Sequence, residues 1–244
     1  MAVKKRLDVL LAEQGLAPSR ARAQALVLAG KVLVDGVPVT KAGSQIKADA
    51  KIEVVAQDHP YVSRGALKLE AALDAFAISP DGLDCLDVGA STGGFTDLLL
   101  GRGARRVIAL DVGRGQLAWR LRQDPRVVVM EGVNARHLAE QALPFAVGLT
   151  CVDVSFISLR LVVPAVLPHL EVDGWLICLV KPQFEAGREQ VGSGGVVRDE
   201  GVRREVIDAT VAALADLGLT LVGLVPSPIR GPKGNLEELA AFKK

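Results

Sequence analysis

The sequence predicts an α/β protein with a doubly wound, mostly parallel, Rossmann-like sheet of seven strands, preceded by a small α+β domain. Three observations support this prediction. From Ser63 onward, short apolar runs alternate with helical stretches. A glycine-rich turn lies between the first of these apolar runs and the next helix. The first 55 residues instead contain two short helical patterns followed by a hairpin pattern.

We predict a separate domain at residues 1–55 and a polar linker at residues 56–61. Gly15 and Gly30 end the two predicted helices, Ser19 can cap the second, and an Asp-Gly pair favours a tight turn. The expected elements are helices at Leu7–Gln14 and Ser19–Ala29, a hairpin of Val32–Val34 with Val37–Val39, and a strand at Lys51–Val55.

The second predicted domain covers residues 62–244. Its strands are rich in Val, Leu and Ile, and amphipathic helical patterns separate them. The expected helices are Ser63–Phe76, one from about Phe95, Leu159–Leu167 and Val202–Leu217. The expected strands are Cys85–Val88, Arg106–Leu110, Val127–Met130, Val147–Val154, Trp175–Val180, Leu219–Val225 and Leu236–Phe242.

The charge of the chain is segregated. The 244 residues carry a formal net charge of only +1. Residues 1–55, however, hold nine Lys or Arg against five Asp or Glu, a surplus of four positive charges. A surface for a polyanion is therefore expected in the N-terminal domain and not over the whole protein.

Cysteine usage and hydropathy restrict the compartment. The three cysteines lie in apolar runs and form no C-x-x-C pair, which predicts free thiols and no metal site. The N-terminus lacks a signal-peptide pattern, and no run approaches the ~20 uncharged residues of a membrane helix. We expect a soluble, cytoplasmic protein without a membrane partner; the sequence predicts no oligomeric state.

The glycine-rich turn predicts a nucleotide-like cofactor, because glycines let the backbone approach a ligand at a helix N-terminus. Asp111, at the end of the next strand, is positioned to bind ribose hydroxyls. The other reading is a turn that simply needs glycine. The expected cofactor residues are Asp87, Gly89, Ser91, Gly93, Gly94, Phe95 and Asp111.

The turn favours S-adenosylmethionine over NAD. A dinucleotide fold would have G-x-G-x-x-G, whereas Ser91 replaces the second glycine here. The acidic Asp87 before the turn suits a cofactor with an amino group and a cationic sulfonium better than a pyrophosphate.

Four charged residues are expected at one edge of the sheet. Asp153 and Lys181 end neighbouring predicted strands, Glu237 joins them if the last strand is antiparallel, and Lys68 lies on the preceding helix. A ribose 2′-hydroxyl is a poor nucleophile, and Lys181 could remove its proton where burial and the second cation favour the neutral amine. Asp153 and Glu237 would orient the two amines. Two ordinary surface salt bridges are the alternative.

These segments resemble a known family. The runs Asp87–Thr96, Val152–Phe156, Val180–Glu185 and Gly231–Glu237 are similar to the TlyA (haemolysin A) family of ribosomal RNA 2′-O-methyltransferases, whose catalytic domain is of the FtsJ type. The resemblance implies a class I methyltransferase fold and a catalytic tetrad of Lys68, Asp153, Lys181 and Glu237. It also implies a cytidine substrate, with the large subunit alone favoured over both subunits.

The N-terminal domain resembles the RNA-binding module of ribosomal small-subunit protein four. This resemblance implies ribosomal RNA or ribosomal subunits as partners, bound through phosphate contacts. A solvated helix face is the alternative. The residues expected to contact RNA are Arg6, Arg20, Arg22, Lys31 and Lys41.

Three other functions are alternatives for this sequence. A nicotinamide-dependent oxidoreductase is disfavoured by the turn, and a non-catalytic RNA-binding or ribosome-assembly factor by the complete set of four charged residues. A pseudouridine synthase with the same N-terminal module would need a Gly-Arg-Leu-Asp segment, which the sequence lacks.

Overall fold

A computed structural model describes residues 4–17, 19–28, 30–54, 59–140, 142–192 and 194–244. The chain divides into two compact units, Met1–Pro60 and Tyr61–Lys244. Residues 56–58 of the predicted linker, together with the predicted strand end at Val55 and helix end at Ala29, lie outside the described residues.

The N-terminal unit pairs two short helices with two small sheets. The elements are β1 (Lys4–Arg6), α1 (Leu7–Glu13), α2 (Arg20–Leu28), β2 (Val32–Val34), β3 (Val37–Pro38), β4 (Gln45–Lys47) and β5 (Ile52–Val54). β1 runs antiparallel to β4, and the second sheet has the order β3-β2-β5. The β1–β4 pair was not predicted, because β1 consists of three charged residues without an apolar alternation.

Local signals in this unit act as predicted. Ser19 Oγ accepts a hydrogen bond of 3.2 Å from the Arg22 backbone N–H at the start of α2. Asp35 and Gly36 have φ values of +50° and +79°, as a two-residue hairpin turn with a primed geometry requires. The predicted helices and hairpin are therefore confirmed within the described residues.

The larger unit contains a seven-stranded sheet. Its strands are β6 (Asp84–Val88), β7 (Arg106–Asp111), β8 (Val127–Glu131), β9 (Val147–Val152), β10 (Leu170–Val180), β11 (Thr220–Pro226) and β12 (Glu238–Lys243). Their order in the sheet is β11-β12-β10-β9-β6-β7-β8. Of these seven strands only β12 runs opposite to its neighbours, which confirms the mostly parallel fold class and the antiparallel last strand.

Helices cover both faces of this sheet. The helices are α3 (Ala66–Ala75), α4 (Gly94–Gly101), α5 (Trp119–Arg122), α6 (Leu159–Val166), α7 (Pro182–Glu185) and α8 (Glu200–Ala215). Leu86 and Val88 of β6 belong to an apolar core with α6 and α8, whereas Cys85 belongs to another with α3 and α4. Alternate residues of one strand thus enter opposite layers, as a doubly wound sheet requires.

Some boundaries differ from the prediction. The predicted strand Val147–Val154 ends at Val152, although the Asp153 N–H still donates to Val88 O of β6. β10 begins at Leu170, and its pairing with β9 shifts between Leu170 and Trp175. The chain leaves β6 toward β7 and β8 and later returns to its other side as β9. The carboxyl ends of β6 and β9 therefore form a topological switch point, where such sheets bind ligands.

Candidate functional site

The turn after β6 has room only for glycine at Gly89. Its φ is +87°, and a Cβ atom there would lie 2.3 Å from the carbonyl oxygen of Asp153. The turn thus touches the residue that follows β9. This contact joins the predicted cofactor turn directly to one of the predicted catalytic residues.

Gly93 and Gly94 let α4 begin close to its neighbours. A Cβ atom on Gly94 would lie 2.3 Å from Ser63 Oγ, and one on Gly93 would lie 2.3 Å from Leu121 Cδ1. Gly94 therefore borders the predicted cofactor region, whereas Gly93 faces apolar side chains. Phe95, the second residue of α4, is buried in the core and also borders the cavity next to Asp87.

Asp87 is a buried carboxylate with one oxygen free of hydrogen bonds. Its Oδ2 accepts bonds from the Thr96 N–H at 2.9 Å and from Thr96 Oγ1 at 2.7 Å. Its Oδ1 is buried and has no partner in the described part of the chain. Burial raises the pKa of Asp87 to about 7, although the two bonds from Thr96 oppose this rise. The free oxygen suits a cationic or N–H donor.

Asp111, at the end of β7, is held by two backbone N–H groups. Gly113 donates to Oδ1 at 2.7 Å and Ser91 donates to Oδ2 at 2.8 Å. Ser91 has a left-handed φ of +48°, which directs its N–H into the turn. Asp111 is half-buried, so its remaining lone pairs can accept bonds from ligand hydroxyls.

A cleft of about 360 Å³ opens at the switch point, and a smaller recess adjoins it. We call the larger one the main cleft, and its volume lies in the range of ligand sites, roughly 300–1,000 Å³. The smaller recess shares Gly89, Ser91 and Asp153 with the main cleft and is also lined by Asp87. The main cleft also contains Asp111, together with Gln116, Asn134 and Ser155, which the sequence analysis did not identify.

Lys181 and Asp153 form an ion pair at the edge of the main cleft. Lys181 Nζ lies 2.5 Å from Asp153 Oδ1 and donates to Ser155 Oγ at 3.0 Å. The Lys181 side chain is 8% exposed and that of Asp153 is 22% exposed. The amine is therefore shielded from bulk water, whereas its carboxylate partner borders the cleft.

Lys68 and Glu237 form the second pair, and both are buried. Lys68 Nζ lies 2.6 Å from Glu237 Oε2, and Gln183 Nε2 donates to Glu237 Oε1 at 3.3 Å. Val180 pairs with Glu238, so Lys181 and Glu237 flank the same rung between β10 and β12. The four predicted catalytic residues thus lie at one edge of the sheet as two ion pairs, with Glu237 held by Lys68.

Glu185 joins the segments that present Lys181 and Asp153. Its carboxylate accepts bonds from Ser158 Oγ at 2.6 Å and from the Leu159 N–H at 2.8 Å, at the start of α6. Burial raises the pKa of Glu185 despite these bonds. The short helix after Lys181 is thereby fixed to the loop after Asp153.

An exposed aromatic side chain was missed by the sequence analysis. Phe156 borders the main cleft, is 90% exposed and has a left-handed φ of +64°. Its ring centroid lies 5.0 Å from that of Phe184. The sequence showed an aromatic residue soon after a strand end, but only the structure reveals its exposure.

The basic residues expected to contact RNA lie at the surface of the N-terminal unit, and two of them are paired with a carboxylate. Arg6 and Arg20 both bond to the buried carboxylate of Asp8 and are 43% and 56% exposed. Arg22 and Lys41 are exposed, and Lys31 is partly exposed.

The described residues offer neither a metal site nor a membrane-spanning helix. No group of three or more His, Cys, Asp or Glu is arranged to hold a metal ion in that part of the chain. Within the same ranges, no helix is long and apolar enough to cross a membrane.

Comparisons with known proteins agree with both units. A family model described as FtsJ-like methyltransferase matches residues 61–244, and an S4 domain model matches residues 5–52. The 16S/23S rRNA (cytidine-2′-O)-methyltransferase TlyA of Mycobacterium tuberculosis is 49% identical, with 97% of this chain and 89% of the relative aligned. Hemolysin A of Brachyspira hyodysenteriae is 44% identical over 97% and 99% of the two chains.

A solved structure is similar over the whole length. This protein, from Streptococcus thermophilus, carries a hemolysin name and is 43% identical to the chain, with a TM-score of 0.78. The alignment covers 100% of this chain and 90% of that one.

Proposed function

This chain belongs to the TlyA family of FtsJ-like methyltransferases, and we propose that it transfers a methyl group from S-adenosylmethionine to a cytidine 2′-hydroxyl in ribosomal RNA. The observation that carries the proposal is the pairing of Lys181 with Asp153 and of Lys68 with Glu237 beside the main cleft. Such an arrangement provides a shielded amine where a hydroxyl must lose its proton.

The residues of the turn fit this cofactor better than a dinucleotide. The free Oδ1 of Asp87 suits an ammonium group, and the fixed carboxylate of Asp111 suits ribose hydroxyls. A pyrophosphate would need free N–H groups at the start of α4, and one of these, the Thr96 N–H, already donates to Asp87. When bound, S-adenosylmethionine supplies an electrophilic methyl group on a cationic sulfur.

The roles of the side chains follow from their contacts. Lys181, in its neutral form, takes up the proton of the 2′-hydroxyl as the hydroxyl oxygen receives the methyl group, while Asp153 and the Ser155 hydroxyl hold its amine in place. Glu237 pairs with Lys68, so the buried positive charge of Lys68 is compensated. Lys68 can therefore remain charged close to the reacting hydroxyl. The exposed ring of Phe156 offers a surface on which a nucleobase can stack.

Both units contribute to the proposed activity. We assign residues 1–55 to RNA binding, 56–61 to a linker and 62–244 to methyl transfer; the ranges matched by the S4 and FtsJ-like models support this division. Arg6, Arg20, Arg22, Lys31 and Lys41 are the proposed phosphate contacts. A ribosomal substrate would be met in the cytoplasm.

The experiment is methyl transfer with labelled S-adenosylmethionine, followed by mapping of 2′-O-methyl sites. The sequence resemblance favours large-subunit RNA, whereas the M. tuberculosis relative is named for both RNAs, so both subunits and their free RNAs are tested. We expect label on a cytidine ribose of large-subunit RNA. Label on a base would overturn the proposed reaction, and label on small-subunit RNA as well would correct the subunit preference.

The same assay separates the other functions. RNA binding without methyl transfer would favour the non-catalytic assembly factor. Calorimetry that shows binding of NAD and none of S-adenosylmethionine would favour the oxidoreductase.

A further inference from the structure

The N-terminal unit contains a buried carboxylate bonded to two arginines. Asp8, the second residue of α1, has a fully buried side chain. It accepts two hydrogen bonds from Arg6 at 3.0 Å, one from Arg20 Nε at 2.9 Å and one from Gln24 Nε2 at 2.8 Å. We call these four residues the Asp8 cluster.

The two guanidinium groups are held side by side. Arg6 Nη2 and Arg20 Nε donate to the same oxygen, Asp8 Oδ2, so they lie no more than about 6 Å apart. Gly43 leaves space on this side of Arg6, since a Cβ atom there would lie 3.4 Å from Arg6 Nη1. Each arginine is about half-exposed and has N–H groups that Asp8 does not use.

The charge balance of the Asp8 cluster favours an anion. Two positive guanidiniums surround one negative carboxylate, so a net charge of +1 remains on the exposed side. The hydrogen bonds from Arg6, with those from Gln24 and Arg20, hold the pKa of Asp8 well below its usual range, so the carboxylate stays ionised. Without it, the two like charges would repel each other and the long side chains would separate.

We propose that Asp8 is a positioning residue that presents Arg6 and Arg20 together to one stretch of the RNA phosphate backbone. The inference rests on the proposed function, because ribosomal RNA is the polyanion concerned. A phosphodiester carries one negative charge and two free oxygens, which match the net charge and the unused N–H groups of the pair. Prior fixation of both side chains lowers the entropy lost on binding.

The test asks whether the affinity for RNA rises or falls when the charge of Asp8 is removed. Asp8→Asn removes one negative charge from a phosphate-binding unit, so electrostatics alone would strengthen RNA binding. Positioning requires the opposite result. The matched control is Asp49→Asn, which removes the same charge from an exposed position in the same unit.

We expect the full-length Asp8→Asn protein to bind large-subunit RNA about tenfold more weakly than wild type in filter binding across a salt series. Asp49→Asn should bind equally or slightly more tightly. Affinity of the folded Asp8→Asn protein equal to or above that of Asp49→Asn would overturn the inference.

A second variant covers the case in which Asp8→Asn unfolds the unit. The double substitution Arg6→Lys with Arg20→Lys keeps Asp8 and every charge but removes the paired guanidinium geometry. We expect it to bind RNA at least about tenfold more weakly, and unchanged affinity would overturn the inference.

Methyl transfer to the same RNA, measured with the wild-type chain, distinguishes the two proposals. If the wild-type chain binds RNA without methyl transfer, the proposed function is contradicted. The role of Asp8 is then still decided by the RNA affinities of Asp8→Asn and Asp49→Asn. A wild-type chain that does not bind ribosomal RNA overturns both.

Discussion

Gly231 lies directly against the carboxylate of Glu237: a Cβ atom on Gly231 would be 2.1 Å from Glu237 Oε1. The backbone of Gly231 is in an ordinary extended conformation, with φ of −70° and ψ of −177°. Glycine is therefore required here by the close approach of Glu237 and not by backbone strain. The loop before β12 thus fixes where the partner of Lys68 can lie.

Gly231→Ala should displace the Glu237 carboxylate from Lys68 and slow methyl transfer by about 10²-fold, since small misplacements in a catalytic site are costly. Affinity for S-adenosylmethionine should stay close to that of wild type. The control is Gly101→Ala, where the new methyl group meets no atom within 4 Å. Single-turnover rates and calorimetry measure both effects, and a fully active Gly231→Ala enzyme would contradict the role given to Glu237.

Lys181→Ala should reduce methyl transfer by about 10²–10⁴-fold and leave cofactor affinity and folding nearly unchanged, because Lys181 acts on the hydroxyl. Lys181→Arg is the matched variant. It keeps the pairing with Asp153, but a guanidinium stays protonated and cannot take up the proton of the hydroxyl, so this variant should also be inactive. Near-normal turnover of Lys181→Arg would show that Lys181 is only an ion-pair partner.

Gly89→Ala should abolish cofactor binding, because the new Cβ atom would collide with the Asp153 carbonyl group and force the turn away from β9. Gly82→Ala is the control for backbone strain. Gly82 also has a positive φ, +70°, but a Cβ atom there meets nothing within 4 Å. It should lose only about 1 kcal/mol of stability and keep its activity. Thermal unfolding and calorimetry of the two variants test this difference.

Affinity for S-adenosylmethionine should rise about tenfold between about pH 5.5 and 7, because the ammonium group needs the ionised form of Asp87. Burial raises the pKa of this carboxyl to about 7, so much of it is protonated at the lower pH. Asp87→Asn should bind more weakly and without this pH dependence. Calorimetry over the pH series decides, and a pH dependence that survives in Asp87→Asn would assign it to another group.

The same pKa has a consequence for stability. The pKa of Asp87 is about 7 in the folded protein, whereas that of an unfolded aspartate is about 4. The folded state therefore binds a proton that the unfolded chain has lost between these values. The stabilising contribution of Asp87 to the free energy of unfolding is therefore fully present below about pH 4 and is lost as the pH rises to about 7.

Removal of residues 1–55 should leave cofactor affinity intact, greatly weaken binding to ribosomal RNA and reduce the salt dependence, because these residues hold a surplus of four positive charges. Filter binding of both proteins across a salt series measures the two slopes. Equal affinities and slopes would place the RNA surface around Lys68 and Lys181 instead.

Arg22→Ala is the cleaner point substitution for the same question. Arg22 is exposed, and the side chain of Arg20 also bonds to Asp8, so that Arg20→Ala would disturb the unit itself. Arg22→Ala should weaken RNA binding less than the removal of residues 1–55 does. The slope of log affinity against log salt concentration should become shallower by about one.

The sequence alone determined most of the elements and their order, although not β1, β4, α5 or α7. The strand positions in the larger unit, the hairpin at Asp35 and Gly36, and the placement of Asp153 and Lys181 at strand ends followed from apolar periodicity and turn residues, which are local properties. The antiparallel direction of β12 entered as a condition and is confirmed. Because the carboxyl ends of neighbouring parallel strands share one edge, local patterns placed Asp153 and Lys181 together, whereas Glu237 joins them through the antiparallel direction of β12 and Lys68 through the packing of α3.

Only the tertiary structure decided which groups contact each other. The partner of Lys181 is Asp153 and that of Lys68 is Glu237, from the other end of the chain. The exposure of Phe156 and the burial of Asp8 between two arginines left no periodic signal. Pairings of this kind depend on distances between segments remote in sequence, and those distances are set by the packing of the whole unit.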